Sequence, residues 1–253
     1  MADEKGWVRV LAWVPPSAAL IVAAVVGAGA LTEWKSYAPH TVDVTGSAKK
    51  RIVSDLAEWE ARVTSTDADL VTSFKNLGAQ VDKTVAFLKS KGVKDEEIHT
   101  SAVNRSEVYE TTYEGTGEDR IQRRVRTGYT TGQSVIVRST DVSLVERLAR
   151  EVTGLIDQGV SVDSYAPSYY YTKLADVKIE QLAEASRDAR TRAERTVEAA
   201  AGGARELSLR ELNMGVINVN PANSTATSWD GNNDTTSLEK DIITIIHCTF
   251  DLK

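Results

Sequence analysis

AEWEARVTSTDADLVTSFKNLGAQVDKTVAFLKSKGV, residues 57–93, changes its period halfway along, and that change decides the fold. Ala57, Trp59, Ala61 and Val63 alternate with Glu58, Glu60 and Arg62, the two-residue period of a half-buried strand. From Asp67 the apolar spacing lengthens to three and four residues. Leu70, Val71, Phe74, Leu77, Val81, Val85 and Leu88 then mark one stripe of a helix that runs to about Lys91. Asp67 and Asp69 in its first turn and Lys89 and Lys91 in its last complement the helix dipole. Gly92 supplies a left-handed cap, and Val93 follows it.

The same order recurs downstream. A strand from about Ile98 to Tyr113 turns at Glu114-Gly115-Thr116-Gly117 and returns from about Ile121 to Arg138, a long hairpin. On the returning strand Val125, Thr127, Tyr129, Thr131, Gln133, Val135 and Val137 are expected on one face. A second helix follows from about Asp141 to Gln158, and Gly159-Val160 repeats the Gly92-Val93 ending before a strand toward Tyr171. Strand–helix–strand, twice around a hairpin, is the ferredoxin-like, split βαβ order. A short strand at Thr41 to Ser47 precedes it. A long helix, about Leu174 to Ala201, and two further strands, about Arg205 to Met214 and Asp241 to Leu252, complete an α+β domain. In that helix Ala185, Ala189, Ala193 and Val197 stack at four-residue steps. The last strand carries apolar residues on both faces, which suits a central or interface-buried position. Asn218 to Ser237 is a polar loop, long enough to be functional or mobile.

Ahead of this body, residues 7–31 are almost entirely apolar. Pro15 to Leu31 spans roughly 25 Å as a helix, and residues from Val10 extend it to an ordinary membrane crossing. Trp7, Trp13 and Trp34 stand near its ends, where aromatic rings favour the interface. A cleaved signal peptide, with Ala28 and Ala30 as the small-residue cleavage pattern, and a buried soluble helix are the competing readings. The charge-balanced start (Asp3, Glu4, Lys5, Arg9) favours an anchor over a signal peptide. The expected organisation is an anchor or signal segment at 1–34, a linker at 35–40 and one domain at 41–253.

Composition narrows the function. The formal net charge of -6 argues against nucleic acid, which needs a basic face. Cys248 is the one cysteine, so no internal disulfide and no thiolate cage forms. His40, His99 and His247 lack metal-site spacing, and no nucleophile elbow, phosphate loop or dinucleotide fingerprint occurs. Adjacent His247 and Cys248 point to opposite faces of a strand, and Asp55, Glu58 and Glu60 suit solvated strand carboxylates better than a catalytic pair. The expectation is no enzyme, no cofactor and no metal.

Several runs resemble one known family. Val44-Thr45-Gly46-Ser47-Ala48, then Ser54-Asp55 and Trp59, is similar to the start of a SIMPL domain. So are FLKSKGVKDEEIHT (87–100), GYTTGQSVIVRSTDV (128–142) and SYAPSYYYTKLADVKIEQLAEASRDARTRAE (164–194), in the right order across about residues 40–252. The resemblance implies an envelope compartment, since bacterial members include periplasmic immunogenic antigens and stress-associated envelope proteins. It also implies self-association, because some relatives assemble into ring- or channel-like homo-oligomers. A eukaryotic member interacts with a signalling kinase, and most members have no assigned activity.

These readings converge on a bacterial inner-membrane protein, single-pass through residues 7–31, with its domain on the periplasmic side, acting as a homo-oligomeric scaffold or binding module. A ring- or channel-forming assembly and an enzyme with an unrecognised site are the alternatives. The expected contact residues are Tyr109, Tyr113, Ile121, Arg123, Val125 and Arg126 on the hairpin, with Tyr169 and Tyr171 from the tyrosine cluster. For the tyrosines, sheet packing is the competing reading.

Overall fold

The computed structural model describes residues 40–114 and 121–253, together with Ile21, Ala23, Ala24 and Ala28. Those four are helical; the rest of the expected anchor at 7–31 lies outside the described residues. Among the described residues no helix is long and apolar enough to cross a membrane.

The fold is mixed α+β, with two sheets. Its strands are β1 (Thr41–Val53), β2 (Leu56–Asp67), β3 (Ile98–Thr100), β4 (Asn104–Glu114), β5 (Ile121–Ser139), β6 (Val162–Ser164), β7 (Ser168–Tyr170), β8 (Leu207–Pro221) and β9 (Glu239–Leu252). The helices are α1 (Leu70–Ser90), α2 (Val142–Glu151) and α3 (Leu174–Ala201). The larger sheet has the order β3-β5-β2-β6, with β4 also on β5 and β7 also on β2, and every pair is antiparallel. Each of α1 and α2 therefore links two strands that have one other strand between them, the split βαβ arrangement that the chain order implies. The smaller sheet has the order β1-β9-β8, so β9 is central, as its apolar residues on both faces require.

The residues fall into two compact units. One holds the described part of 1–46 with 189–213 and 247–253; the other holds 47–188 and 214–246. The second unit contains the main core. Trp59, Ala61 and Val63 of β2 and Val135 and Val137 of β5 are buried with Leu77, Val81 and Leu88 of α1 and Leu144, Val145 and Leu148 of α2. Both helices start on aspartates: Asp69 accepts from Thr72 N at 2.8 Å and Asp141 from Leu144 N at 2.9 Å. A 3-10 segment, Val152–Gln158, completes α2's run and ends on Gly159 at φ +77°, where a side chain is disfavoured.

Several elements differ from the sequence reading. β1 runs on through Gly46 to Val53, in the sheet where it neighbours the central β9. The strand expected over 98–113 breaks at 101–103, where Ser101 engages Ser134 and Gln133 instead of continuing the ladder. The strand toward Tyr171 breaks around Pro167, which has no N–H to donate. β8 extends to Pro221, so Asn218 and Asn220 belong to the strand and not to the loop. On α1, Val71 and Phe74 are exposed, while Ser73 and Thr84 are buried. Ser73 Oγ lies 2.9 Å from Thr131 Oγ1 and 2.8 Å from the Ser65 carbonyl, and Thr84 Oγ1 donates to the Gln80 carbonyl of its own helix at 2.9 Å, so both inward hydroxyls are satisfied.

Candidate interaction surface

The hairpin outruns the sheet that carries it. Pairing of β2 with β5 ends at Asp67↔Tyr129, whereas β4 stays paired with β5 as far as Glu114↔Ile121. Beyond Gly128 each strand has only the other as a described neighbour. A seven-residue strand, Ile121 to Thr127, reaches roughly 23 Å. The side chains from Tyr109 to Tyr113 and from Ile121 to Thr127 are all exposed. At the root of this arm a Cβ on Gly128 would sit 2.6 Å from the Asp67 carbonyl oxygen, so glycine is what lets β5 pass the β2–α1 corner.

The two faces of the arm differ. The register shifts between Val108 and Tyr109: Val108 opposes Gly128, Tyr109 opposes Arg126, and Thr127 is the extra residue of a bulge. The single face expected from Val125 to Val137 is therefore broken, and Val125 lies on the side away from Tyr129. Tyr109, Thr111, Tyr113, Gln122, Arg124 and Arg126 continue the helix-covered side of the sheet. Glu110, Thr112, Ile121, Arg123 and Val125 continue the far side. The six hairpin residues singled out from sequence divide three and three between these faces.

The helix-side face is knitted within the arm. The Arg124 guanidinium stacks on Tyr109 at 4.2 Å, and Arg126 lies 4.9 Å from the Tyr129 ring and 3.4 Å from Glu107. The Tyr109 hydroxyl donates to Glu107, which lowers that carboxyl's pKa and raises that of the phenol. The far side offers aliphatic surface: Ile121 is 69% exposed and Val125 43%.

Beside the arm's root lies an apolar groove of about 490 Å³. Leu70, Val71 and Phe74 at the start of α1 form one wall, and Val103, Asn104 and Arg105 at the start of β4 the other. Val71 is 58% exposed and Phe74 55%. The sequence carried a sign of this: Leu70, Val71 and Phe74 make the apolar stripe wider than one buried face, and the surplus faces outward.

A family model, SIMPL: Protein of unknown function (DUF541), matches residues 42–245. The chain belongs to the SIMPL family. A search of curated proteins finds no match.

The remaining candidate residues of this SIMPL domain have packing roles. Tyr169 packs on the main core, and its hydroxyl donates to Glu146 at 3.0 Å; burial and that bond raise its pKa. Tyr171 packs on a second cluster formed by Ile52, Val177, Val219 and Ile242. The structure thus separates these two tyrosines from the hairpin residues. Asp55 accepts from the Thr172 amide and hydroxyl, both at 2.7 Å, ahead of α3, and Glu60 accepts from Ser134 at 2.5 Å.

Within the first unit, a polar cleft of about 330 Å³ is lined by Asp43, Thr45, Glu211, Asn213, His247 and Thr249. Thr45 Oγ1 is 3.1 Å from His247 Nδ1, but Asp43 accepts from Thr249 at 2.6 Å and not from the imidazole. Among the described residues, the His therefore has no orienting carboxylate of the kind a nucleophile–base relay uses. Cys248 is buried, and burial raises its thiol pKa, which suits a packing role. Among the described residues no group of three or more His, Cys, Asp or Glu is placed to hold a metal ion.

Sequence reasoning also missed the order within the polar loop. The buried Asn218 Oδ1 accepts from Ser228 N at 2.9 Å and Asn232 N at 3.1 Å, and Asn220 reaches Ala226 O and Asn232. Trp229 stands between those clamped amides, 92% exposed. The alternation of asparagine with Val219 was the available signal, hidden because asparagine reads as loop.

Proposed function

We propose that this SIMPL protein is a non-catalytic, homo-oligomeric scaffold or binding protein of a bacterial envelope. Residues 7–31 tether it to the inner membrane in a single pass, and the α+β domain lies on the periplasmic side. The observation that carries the reading is the arm. Two strands that leave their sheet and expose both faces are marginally stable as an isolated ribbon. They retain a reason to project when another surface receives them. The apolar run at 7–31 supports the tether, and the packing roles of the carboxylates, Cys248 and Tyr169 support the absence of chemistry.

The arm crosses into a neighbouring copy, and copy number then supplies avidity to weak surface sites. Chemical cross-linking of intact cells that express the full chain tests this. A ladder of cross-linked species is expected for the wild type, and its loss when Glu110 to Arg124 is replaced by an Asn-Gly turn. An unchanged ladder in that variant contradicts the proposal.

A further inference from the structure

A cleft of about 500 Å³ opens between α2 and the edge of the larger sheet. Glu146, Ala149 and Arg150 of α2 form one wall. Tyr165, Ala166 and Pro167, where the edge lapses between β6 and β7, form the other. The Tyr165 amide still donates to the Glu60 carbonyl at 3.1 Å, so this segment stays fixed to β2. Its ring is 48% exposed. Pro167 has no N–H to offer, and Ala149 and Ala166 add methyl groups, so apolar surface lies beside the two charges.

Those charges are arranged unusually. Glu146 and Arg150 stand one helical turn apart with the acid first, the order in which such residues pair along a helix. Here they do not pair. The Tyr169 hydroxyl donates to Glu146 Oε1 at 3.0 Å and holds that carboxylate toward the sheet edge. Among the described residues, no carboxylate lies within ion-pair distance of Arg150, and Glu146 Oε2 accepts no hydrogen bond. Arg150 nevertheless acts on the Tyr169 phenol, where its charge opposes the rise in pKa caused by burial and by Glu146. An anion and a cation thus gather at one ring, each with capacity to spare. The hydroxyls on the lining are already engaged: Ser164 donates to the Ala149 carbonyl at 2.7 Å and Thr153 to the Arg150 carbonyl at 3.2 Å.

Charge complementarity selects the occupant. A purely anionic ligand would face Glu146, and a purely cationic one would face Arg150. A ligand that carries both charges close together meets each with its opposite. Four helical residues advance roughly 6 Å, a gap that an ammonium and a carboxylate on one carbon bridge with a hydrogen bond at each end. We infer that this cleft binds a free α-amino acid with an apolar or aromatic side chain. Glu146 receives the ammonium, Arg150 the carboxylate, and Tyr165 and Pro167 the side chain. The guanidinium fork suits a carboxylate because it donates two parallel hydrogen bonds. Neither the arm nor the tether takes part, so the site adds a ligand to the proposed binding role and does not depend on assembly.

Isothermal titration calorimetry of the full-length protein in mild detergent tests the assignment with L-phenylalanine and two analogues. Phenethylamine lacks the carboxylate, and hydrocinnamate lacks the ammonium. One saturable site per chain is expected for L-phenylalanine, with each analogue weaker by at least about tenfold. Arg150→Gln should weaken L-phenylalanine by a similar factor without weakening phenethylamine. Glu146→Gln should do so without weakening hydrocinnamate, and its amide oxygen can still accept from Tyr169. Tyr165→Ser should weaken all three, with circular dichroism unchanged in every variant. Equal affinity for the three probes, or L-phenylalanine binding that survives both charge substitutions, overturns the zwitterion assignment. No saturable heat with either L-phenylalanine or L-leucine overturns the site itself, and leaves the reading of the arm standing.

Discussion

Trp59 is the bulkiest side chain that the described fold buries completely. Its indole N–H donates to Ser164 Oγ at 3.0 Å, and that hydroxyl donates to the Ala149 carbonyl at 2.7 Å, so one residue joins β2, β6 and α2. Trp59→Ala should lower stability by roughly 3–5 kcal/mol, read from denaturant midpoints; a loss below about 1 kcal/mol would contradict its place in the core. Two carboxylates set the acid limit. Asp241, almost fully buried, accepts from Arg51 (2.9 and 3.1 Å) and the Asn223 amide (2.7 Å), and pairs with Lys49 (2.9 Å). The Arg51 bond, chiefly, holds its carboxyl well below the usual range. Burial opposes ionisation of Asp234, but bonds from Thr236, Lys240 and Ser237 outweigh it and bring the group down to about 2. A carboxyl that titrates lower folded than unfolded stabilises fully above the unfolded value of about 3.9. That contribution disappears as pH falls through the folded value. Stability should therefore be flat near neutrality and fall below pH of about 4, and Asp234→Asn should blunt the fall. A variant with an unchanged acid limb would contradict the linkage. Trp59 was legible because strict alternation fixes its face. Asp234, Lys240 and Asp241 were not, because a buried ion pair and a solvated one read alike in sequence.

Strand faces near the core and the helix boundaries at Gly92, Asp141 and Gly159 were legible because short-range spacing determines them, but the start of α1 was not: Asp67 and Asp69, expected in its first turn, are the last residue of β2 and the N-cap. Nor were the arm's faces. Val125-Thr127-Tyr129 alternates without interruption in sequence, and only the cross-strand register reveals that Thr127 is an extra residue. Likewise Val71 and Phe74 counted as core, because apolar spacing cannot show that Ser73 and Thr84 are the satisfied inward positions. Two expectations belong to elements. Replacing Glu110 to Arg124 with a two-residue turn removes side chains that, where described, are all exposed, so the unfolding free energy should change by no more than about 0.5 kcal/mol. A larger loss would mean that the arm is part of the monomer's core. In the β8–β9 loop, Asn218→Ala leaves two backbone amides without their acceptor and should cost about 1–3 kcal/mol, whereas Trp229→Ser should be neutral. Equal effects of the two substitutions, measured by thermal unfolding, would contradict the clamp.

For the whole molecule, attachment and assembly are the two properties that the proposal joins. An uncleaved anchor predicts that the mature protein keeps the residues from Met1, and intact-mass measurement of native material decides between that and a start at Leu31. In the proposal, attachment alone brings copies into one plane, and the arm fixes how they meet. Copy number was not legible, because an exposed ribbon does not specify how many copies a proposed assembly would contain. The central claim is that the arm, and not the membrane segment, holds copies together. Native mass spectrometry of the full-length protein released from mild detergent tests it most directly. The account predicts a whole multiple of the chain mass for the wild type and a single-chain mass when Glu110 to Arg124 is replaced by Asn-Gly. A wild type of single-chain mass, or a shortened variant that keeps the wild-type copy number, would contradict it.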